Sequence, residues 1–438
     1  MGKSQSIADL FQAFSEGGVS PCEVLHAQFK AIDNHDPIYH AFVMKDRAAA
    51  MANAEESAKR YAQKAPLSPL DGMSFTVKDL YDVVGYETRH GAAYTSAEVA
   101  VRSAPIVERL LALGAIFIGK TTTPEWGHKG VTSNPITGLI TSNPYDVTKT
   151  AGGSSGGAGV AAALSLGTIH LGSDAGGSVR IPASFCGVYG FKPSPFTLPT
   201  DSHLFAPLSS LGFLSKHVGD LPLLTTLLAE KHPRDPYQKG LMPSAEVLKP
   251  RVAYIAELSG VKLAPSIQKA FQEVIKKYPD AASLRLDIPE LIPCFNAHWM
   301  ALAVYLVESF PEHYQAKMDP RLLEWYGMGK NMRARDYVAA VDARLTLGAY
   351  FADLFQQYDF ILSPTTAMTA FDVGSNMPFY ADGTPWLDWT PYTYIANLCQ
   401  LPAISVPMGF DEKGLPMGLQ VMAGTGRDLA LLAFAQTL

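Results

Sequence analysis

The chain has 438 residues, 47% hydrophobic and 17% charged, which is enough apolar material for one large α/β domain or for two or three smaller ones. A net charge of −6 excludes a broadly basic surface for nucleic acid, so no nucleic-acid partner is expected. The four cysteines (Cys22, Cys186, Cys294, Cys399) and eleven histidines are too scattered for a zinc site, no metal or cofactor is expected, and so few cysteines suit the reducing cytoplasm.

The N-terminus lacks the apolar core of a secretory leader and reads as an amphipathic helix, with Ile7, Leu10, Phe11 and Phe14 at helical spacing. A second helix follows from Pro21 to Ile32. A third, rich in alanine and charge, runs near Arg47–Gln63 until Pro66 and Pro69 stop it, so residues 5–64 read as helical. Short β-prone runs come next at Met73–Val77, Ala115–Ile118 and Thr168–Leu171, with helical segments Pro105–Leu113 and Ala158–Leu166 between them. Such alternation predicts a mixed or parallel sheet flanked by helices. The segment from about 230 to 350 reads as helical, aromatic and broken by prolines, carrying Trp299, Tyr305, Phe310, Tyr314, Trp325, Tyr326 and Tyr337. It is either ordinary helical packing or an inserted cap over a pocket. Ala403–Pro407 and Gly418–Met422 read as two late strands. No run of about 18 apolar residues is evident, so no membrane span is expected. Without repeats or low-complexity linkers, residues 1–438 read as one domain. The chain stops at Leu438 inside a stretch that reads as helix, as expected of a sequence with residues to follow.

Two glycine–serine knots, Gly152-Gly153-Ser154-Ser155-Gly156-Gly157 and Gly176-Gly177-Ser178, stand out between Thr148 and Pro193. Glycines allow close backbone approach, so such knots form loops whose N–H groups converge on a ligand. Apolar flanks argue against a flexible linker. A P-loop would need a lysine after Gly157, the spacing does not fit a dinucleotide-binding loop, and Ser178 lacks the GxSxG elbow. The residues alone leave a catalytic serine as one reading among these. Such a serine needs a base. His170 lies in an apolar, β-like run and reads as structural. Lys78, closing the run Ser74–Lys78, would serve if burial kept it neutral, whereas a lysine snorkelling from a strand end is the plainer reading.

The run from Gly152 to Pro193 closely resembles the amidase signature, a glycine- and serine-rich pattern shared by amide hydrolases. The matching residues include both knots, Gly172-Ser173-Asp174, Arg180, Pro182 and Gly190-Phe191-Lys192-Pro193. Val77-Lys78-Asp79 resembles the family's lysine motif. Asn143-Pro144, Leu401–Pro407 and Gly414–Gln420 also fall where relatives carry them. The resemblance implies an α/β fold with a large mixed, mostly parallel β-sheet core flanked by helices on both faces. It further implies a Ser–cis-Ser–Lys triad: Ser178 as nucleophile, Ser154 (joined to Gly153 by a cis peptide) as bridge, and neutral Lys78 as base. The N–H groups of Ala175, Gly176, Gly177 and Ser178 would form the oxyanion hole, with Asp174 and Arg180 shaping the loop. Asp174 as general base is the alternative. His128 lies where relatives place a pocket residue.

The expected reaction is hydrolysis of an uncharged carboxylic amide, aryl or aliphatic, through an acyl-enzyme on Ser178. Trp386, Trp389, Tyr392 and Tyr394 are expected to join the aromatic middle segment around a small-molecule amide. Homo-oligomerisation is left open. Two alternatives stand: the glutamine-hydrolysing subunit of a tRNA-dependent amidotransferase, and a catalytically silent member serving in binding or assembly. Against the first, the stretch DWTPYTYIANL at 388–398 is more similar to stand-alone amidases; against the second, all three triad positions are filled. Where relatives often carry Gly-Pro, this chain has Gly212-Phe213, expected to alter a wall near the sheet.

Overall fold

A computed structural model describes residues 5–134, 138–201, 208–243, 247–379 and 389–438. The N-terminal helices form where their caps dictate. Ser6 and Asp9 make a capping box for the helix Ile7–Glu16, Ser20 and Glu23 make another for Pro21–Tyr39, and Gly17 (φ 72°) closes the first. Ile7, Leu10 and Phe14 of the predicted apolar face are buried.

The strands are, in chain order, β1 (Phe42–Lys45), β2 (Ser74–Lys78), β3 (Ile116–Thr121), β4 (Ser133–Asn134) and β5 (Leu139–Ile140). They continue with β6 (Ile169–Asp174), β7 (Tyr189–Lys192), β8 (Ser210–Ser215), β9 (Val252–Leu258) and β10 (Ala282–Leu286). The last three are β11 (Phe360–Pro364), β12 (Ala403–Phe410) and β13 (Pro416–Ala423). All but the β4–β5 pair join one 11-stranded sheet in the order β1-β3-β2-β6-β8-β7-β12-β13-β11-β9-β10.

The sheet is mixed, as expected, but it is not mostly parallel. Only β2 with β3 and β6, and β9 with β10 and β11, pair in parallel. The centre, from β6 through β8, β7, β12 and β13 to β11, is antiparallel throughout, and β1 pairs antiparallel with β3. Short returns between neighbours make antiparallel pairs available without a helical crossover, and β12–β13 is such a return.

Helices cover both faces. One core packs Phe75 and Val77 of β2 and Phe213 of β8 against Ile7, Leu10 and Phe14, Ile106 and Leu110, Leu221 and Leu224, and Leu431. On the other side, the helix Gly156–Ala163 and residues of Pro21–Tyr39 pack on Ile116, Ile118 and Leu214, while Leu291–Glu308 and Ala334–Gln357 pack on Ile255, Ile361 and Met422. The helix Gly156–Ala163 is buried along its whole length. A Cβ at Gly157 would lie 2.4 Å from the Ala41 carbonyl oxygen, so only glycine lets the helix start this close to β3's exit.

Two expectations are corrected here. Residues 5–64 are not helical throughout, because Phe42–Lys45 forms β1 at the sheet edge, where a four-residue run is too short to show alternation. The segment 230–350 is not wholly helical. Its helices Leu291–Glu308, Pro320–Gly329 and Ala334–Gln357 are preceded by β9 and the half-exposed β10, which extend the sheet. Leu291–Glu308 is also long and apolar enough to cross a membrane. It buries Phe295, Trp299, Leu306 and Val307 against the remainder of the chain, as a core helix does.

Candidate active site

Lys78 is the last residue of β2, on the face opposite Phe75 and Val77, and is fully buried. Its Nζ donates to Ser154 Oγ at 2.6 Å and to Ser173 Oγ at 3.1 Å. Burial lowers its pKa to about 7, against the opposing pull of the Asp174 carboxylate. The snorkelling alternative is thereby excluded.

Ser154 sits in the first glycine knot, and the Gly153–Ser154 peptide is cis, as the resemblance implied. Gly153 lies so close to the Val131 backbone that a Cβ would fall 2.7 Å from its carbonyl carbon. Thr132 Oγ1 donates to the Gly152 carbonyl (2.8 Å) and accepts from Gly156 N–H (3.1 Å), fixing both ends of the knot. The two knots are laced together, since Ser155 N–H donates to the Ser178 carbonyl at 3.0 Å and Ser155 Oγ to that of Ser173 at 3.2 Å. Ser178 lies between β6 and the helix Arg180–Cys186, and Ser154 and Ser178 line the same cavity.

Asp174 and Arg180 hold the loop between them. Both are fully buried, with Arg180 Nη2 to Asp174 Oδ1 at 2.8 Å and Nε to Oδ2 at 2.9 Å. Arg180 also donates to the Thr393 carbonyl, Asn397 Oδ1 and Gln420 Oε1. Burial alone would raise the Asp174 pKa. The Arg180 guanidinium, Lys192 and the Asn397 amide outweigh it and hold the carboxyl well below the usual carboxylate range, so Asp174 is a poor general base. Its Oδ1 also accepts the Gly177 N–H at 2.8 Å, so this expected oxyanion donor is already engaged. Arg180→Ala strands the Asp174 charge in the interior and is expected to cost about 3–5 kcal/mol. Urea denaturation would read this as a lowered midpoint; an unchanged midpoint would show that the pair carries no stability.

The remaining predicted residues divide. His128 is buried and lines a second cavity, but its ring nitrogens face the Glu125 carbonyl (2.6 Å) and Asp319 Oδ1 (3.6 Å). His170 is structural, hydrogen-bonded to Thr76 Oγ1 at 3.0 Å. Phe213 is in the core behind the sheet and lines neither of the two cavities at Ser178, which corrects the expected change of wall. Of the aromatic residues singled out, Trp299, Trp325, Trp389 and Tyr394 line the second cavity. Tyr392 is in the core, and Trp386 lies outside the described residues.

Sequence reasoning missed Ser173, Tyr81, His90 and Trp126 beside the serines, and the bracing residues Thr393, Asn397 and Gln420. Ser173, Thr393, Asn397 and Gln420 lay inside quoted stretches without being singled out, Trp126 stands two residues before His128, and Tyr81 and His90 carry no local signal. Among the described residues no group of three or more His, Cys, Asp or Glu could hold a metal ion.

The fold is an 11-stranded mixed sheet flanked by helices, and it holds a buried lysine hydrogen-bonded to a serine that lines a cavity. The amidase family's sequence profile matches residues 23–432, and the chain belongs to that family. It is 30% identical to an acylamidase of Rhodococcus erythropolis, over 98% of this chain and 94% of that protein. It is equally 30% identical to a glutamyl-tRNA(Gln) amidotransferase subunit from Thermosynechococcus vestitus, over 95% of this chain and 93% of that one. The fold matches the crystal structure of a bacterial aryl acylamidase of the amidase signature family at a TM-score of 0.89 and 24% identity, covering 98% of this chain and 94% of that chain.

Proposed function

We propose that this amidase-family hydrolase cleaves an uncharged carboxylic amide through an acyl-enzyme on Ser178. The observation that carries the reading is Lys78: fully buried, 2.6 Å from Ser154 Oγ, and shifted to a pKa of about 7, beside the cavity that Ser178 lines. A lysine so depressed is substantially neutral near pH 7 and can accept a proton. Ser178 Oγ attacks the carbonyl carbon, its proton passes through Ser154 to Lys78, and the oxyanion takes N–H donors from Ala175, Gly176 and Ser178. The proton returns through Ser154 to the nitrogen, the C–N bond breaks, and ammonia or an amine leaves. Water then hydrolyses the ester by the same relay, leaving acid and free Ser178. Losing one oxyanion donor typically costs ~10²–10³ in rate.

The helices Leu291–Glu308 and Pro320–Gly329 act as a cap, contributing Phe295, Trp299 and Trp325 to the second cavity. An uncharged substrate is favoured because the two cationic side chains among the cavity's described lining residues each have a carboxylate of their own, Lys129 with Asp319 and Arg321 with Glu324. The same pairing weighs against a glutamine-hydrolysing subunit, whose substrate carries a free carboxylate.

Hydroxylamine partitioning tests the acyl-enzyme. Two amides with one acyl group and different amines are expected to give the same ratio of hydroxamate to acid, because both pass through one ester. A ratio that follows the leaving amine would sink the acyl-enzyme. Glutamine turnover appearing only with an added partner chain would favour the amidotransferase reading instead.

A further inference from the structure

Ser178 stands where two unequal cavities meet. The first, about 70 Å³, is lined by Tyr81, His90, Trp126, Ser154 and Ser173 among others. The second, about 360 Å³, is lined by Ile181, Phe295, Trp325, Trp389 and Tyr394. Gly127, Ser178 and Trp299 belong to both, whereas Ser154 belongs only to the first.

We infer that the substrate's acyl side chain occupies the large aromatic cavity and its leaving nitrogen the small one, so that the enzyme is selective for primary amides of bulky apolar acids. This rests on the reading above. If Ser154 returns the proton to the departing nitrogen, that nitrogen must face the cavity Ser154 lines. The small cavity has room for ammonia and a water or two at ~30 Å³ each, and is about half the ~150 Å³ that accommodates a benzene ring. Its wall is held in place: the Trp126 ring stacks on His90 at 4.2 Å and 10°, and Trp126 Nε1 donates to the Tyr94 hydroxyl at 3.1 Å. The large cavity is several times roomier and presents aromatic faces. There Phe295 is stacked on Tyr394 at 3.8 Å and 1°.

Two isomers test this with the same atoms, 3-phenylpropanamide and N-benzylacetamide. The phenyl ring sits on the acyl side of the first and the amine side of the second, and the amines released are of similar basicity. The wild-type protein is expected to favour 3-phenylpropanamide in kcat/KM by ~10²-fold, the scale of a misfit against a fixed pocket. Trp126→Ala is expected to narrow that ratio. Trp325→Ala is expected to lower kcat/KM for 3-phenylpropanamide relative to acetamide by about tenfold. Equal or better use of N-benzylacetamide, lost in Ser178→Ala, would overturn the assignment and leave the amidase reading intact. Turnover of acetamide with neither isomer would overturn it too, as would an unchanged 3-phenylpropanamide-to-acetamide ratio in Trp325→Ala. Failure to hydrolyse any amide would instead overturn the amidase reading on which the assignment depends.

Discussion

Ser178→Ala is expected to lower kcat for amide hydrolysis by at least ~10⁴-fold while leaving the fold intact. The side chain removed is one oxygen in a loop whose shape is set by other groups, namely Asp174, Arg180 and the Ser155 N–H. Substrate binding should survive, because the large cavity is built from residues of several segments. A residual rate over water is expected from the remaining oxyanion donors and from binding, as when serine-hydrolase nucleophiles are deleted. Ammonia release and circular dichroism together check the prediction. Full activity in the variant would remove Ser178 from the mechanism.

Lys78→Met should be the next most damaging change, with a loss of ~10²–10⁴-fold, the usual contribution of a positioned acid–base group. Methionine fills the buried site without a charge, so the rate isolates the missing proton acceptor. The wild-type pH profile carries an independent signature. The protonated lysine cannot accept a proton, so below a pKa of about 7 kcat/KM is expected to fall tenfold per pH unit, and above it to level off. This acidic limb should vanish in Lys78→Met. Its persistence would assign the limb to another group. Lys192, likewise buried and lowered to about 7 chiefly by burial, is the obvious contender. Its Nζ donates to the Pro193 carbonyl at 2.9 Å, and it lines neither cavity at Ser178.

Much of the site was legible because its parts are local. The two glycine knots and the β-prone run ending in Lys78 are short, dense signals. Their glycines answer contacts such as that of Gly157 with the Ala41 carbonyl, which no other residue would satisfy. Direction was not legible. Nothing in Phe360–Pro364 or Tyr189–Lys192 states whether its neighbour runs with it or against it, and β7 and β11 were not anticipated at all. β10, with alternate residues half-buried and exposed, sits at the sheet edge inside a stretch dominated by helix formers. The pair of cavities was hidden for a related reason. Their lining is gathered from segments near residues 80–90, 126–130, 154, 173–181, 209, 292–328, 376–377 and 389–394, and proximity across such intervals is a property of the assembled fold.

The brace around Asp174 and Arg180 bears on how the protein comes into being. Asn397 donates to the Asp174 side chain and Arg180 to Gln420, across 223 and 240 residues of sequence, and Thr393 Oγ1 reaches the Gly176 carbonyl across 217. Contacts so distant along the chain are late and slow to form. A growing polypeptide therefore emerges with Ser178 long before the parts that brace its loop, and the segment carrying Thr393, Asn397 and Gln420 acts as a closing key. Until that segment arrives the loop carrying Ser178 is unbraced, so the candidate site takes its shape late in synthesis.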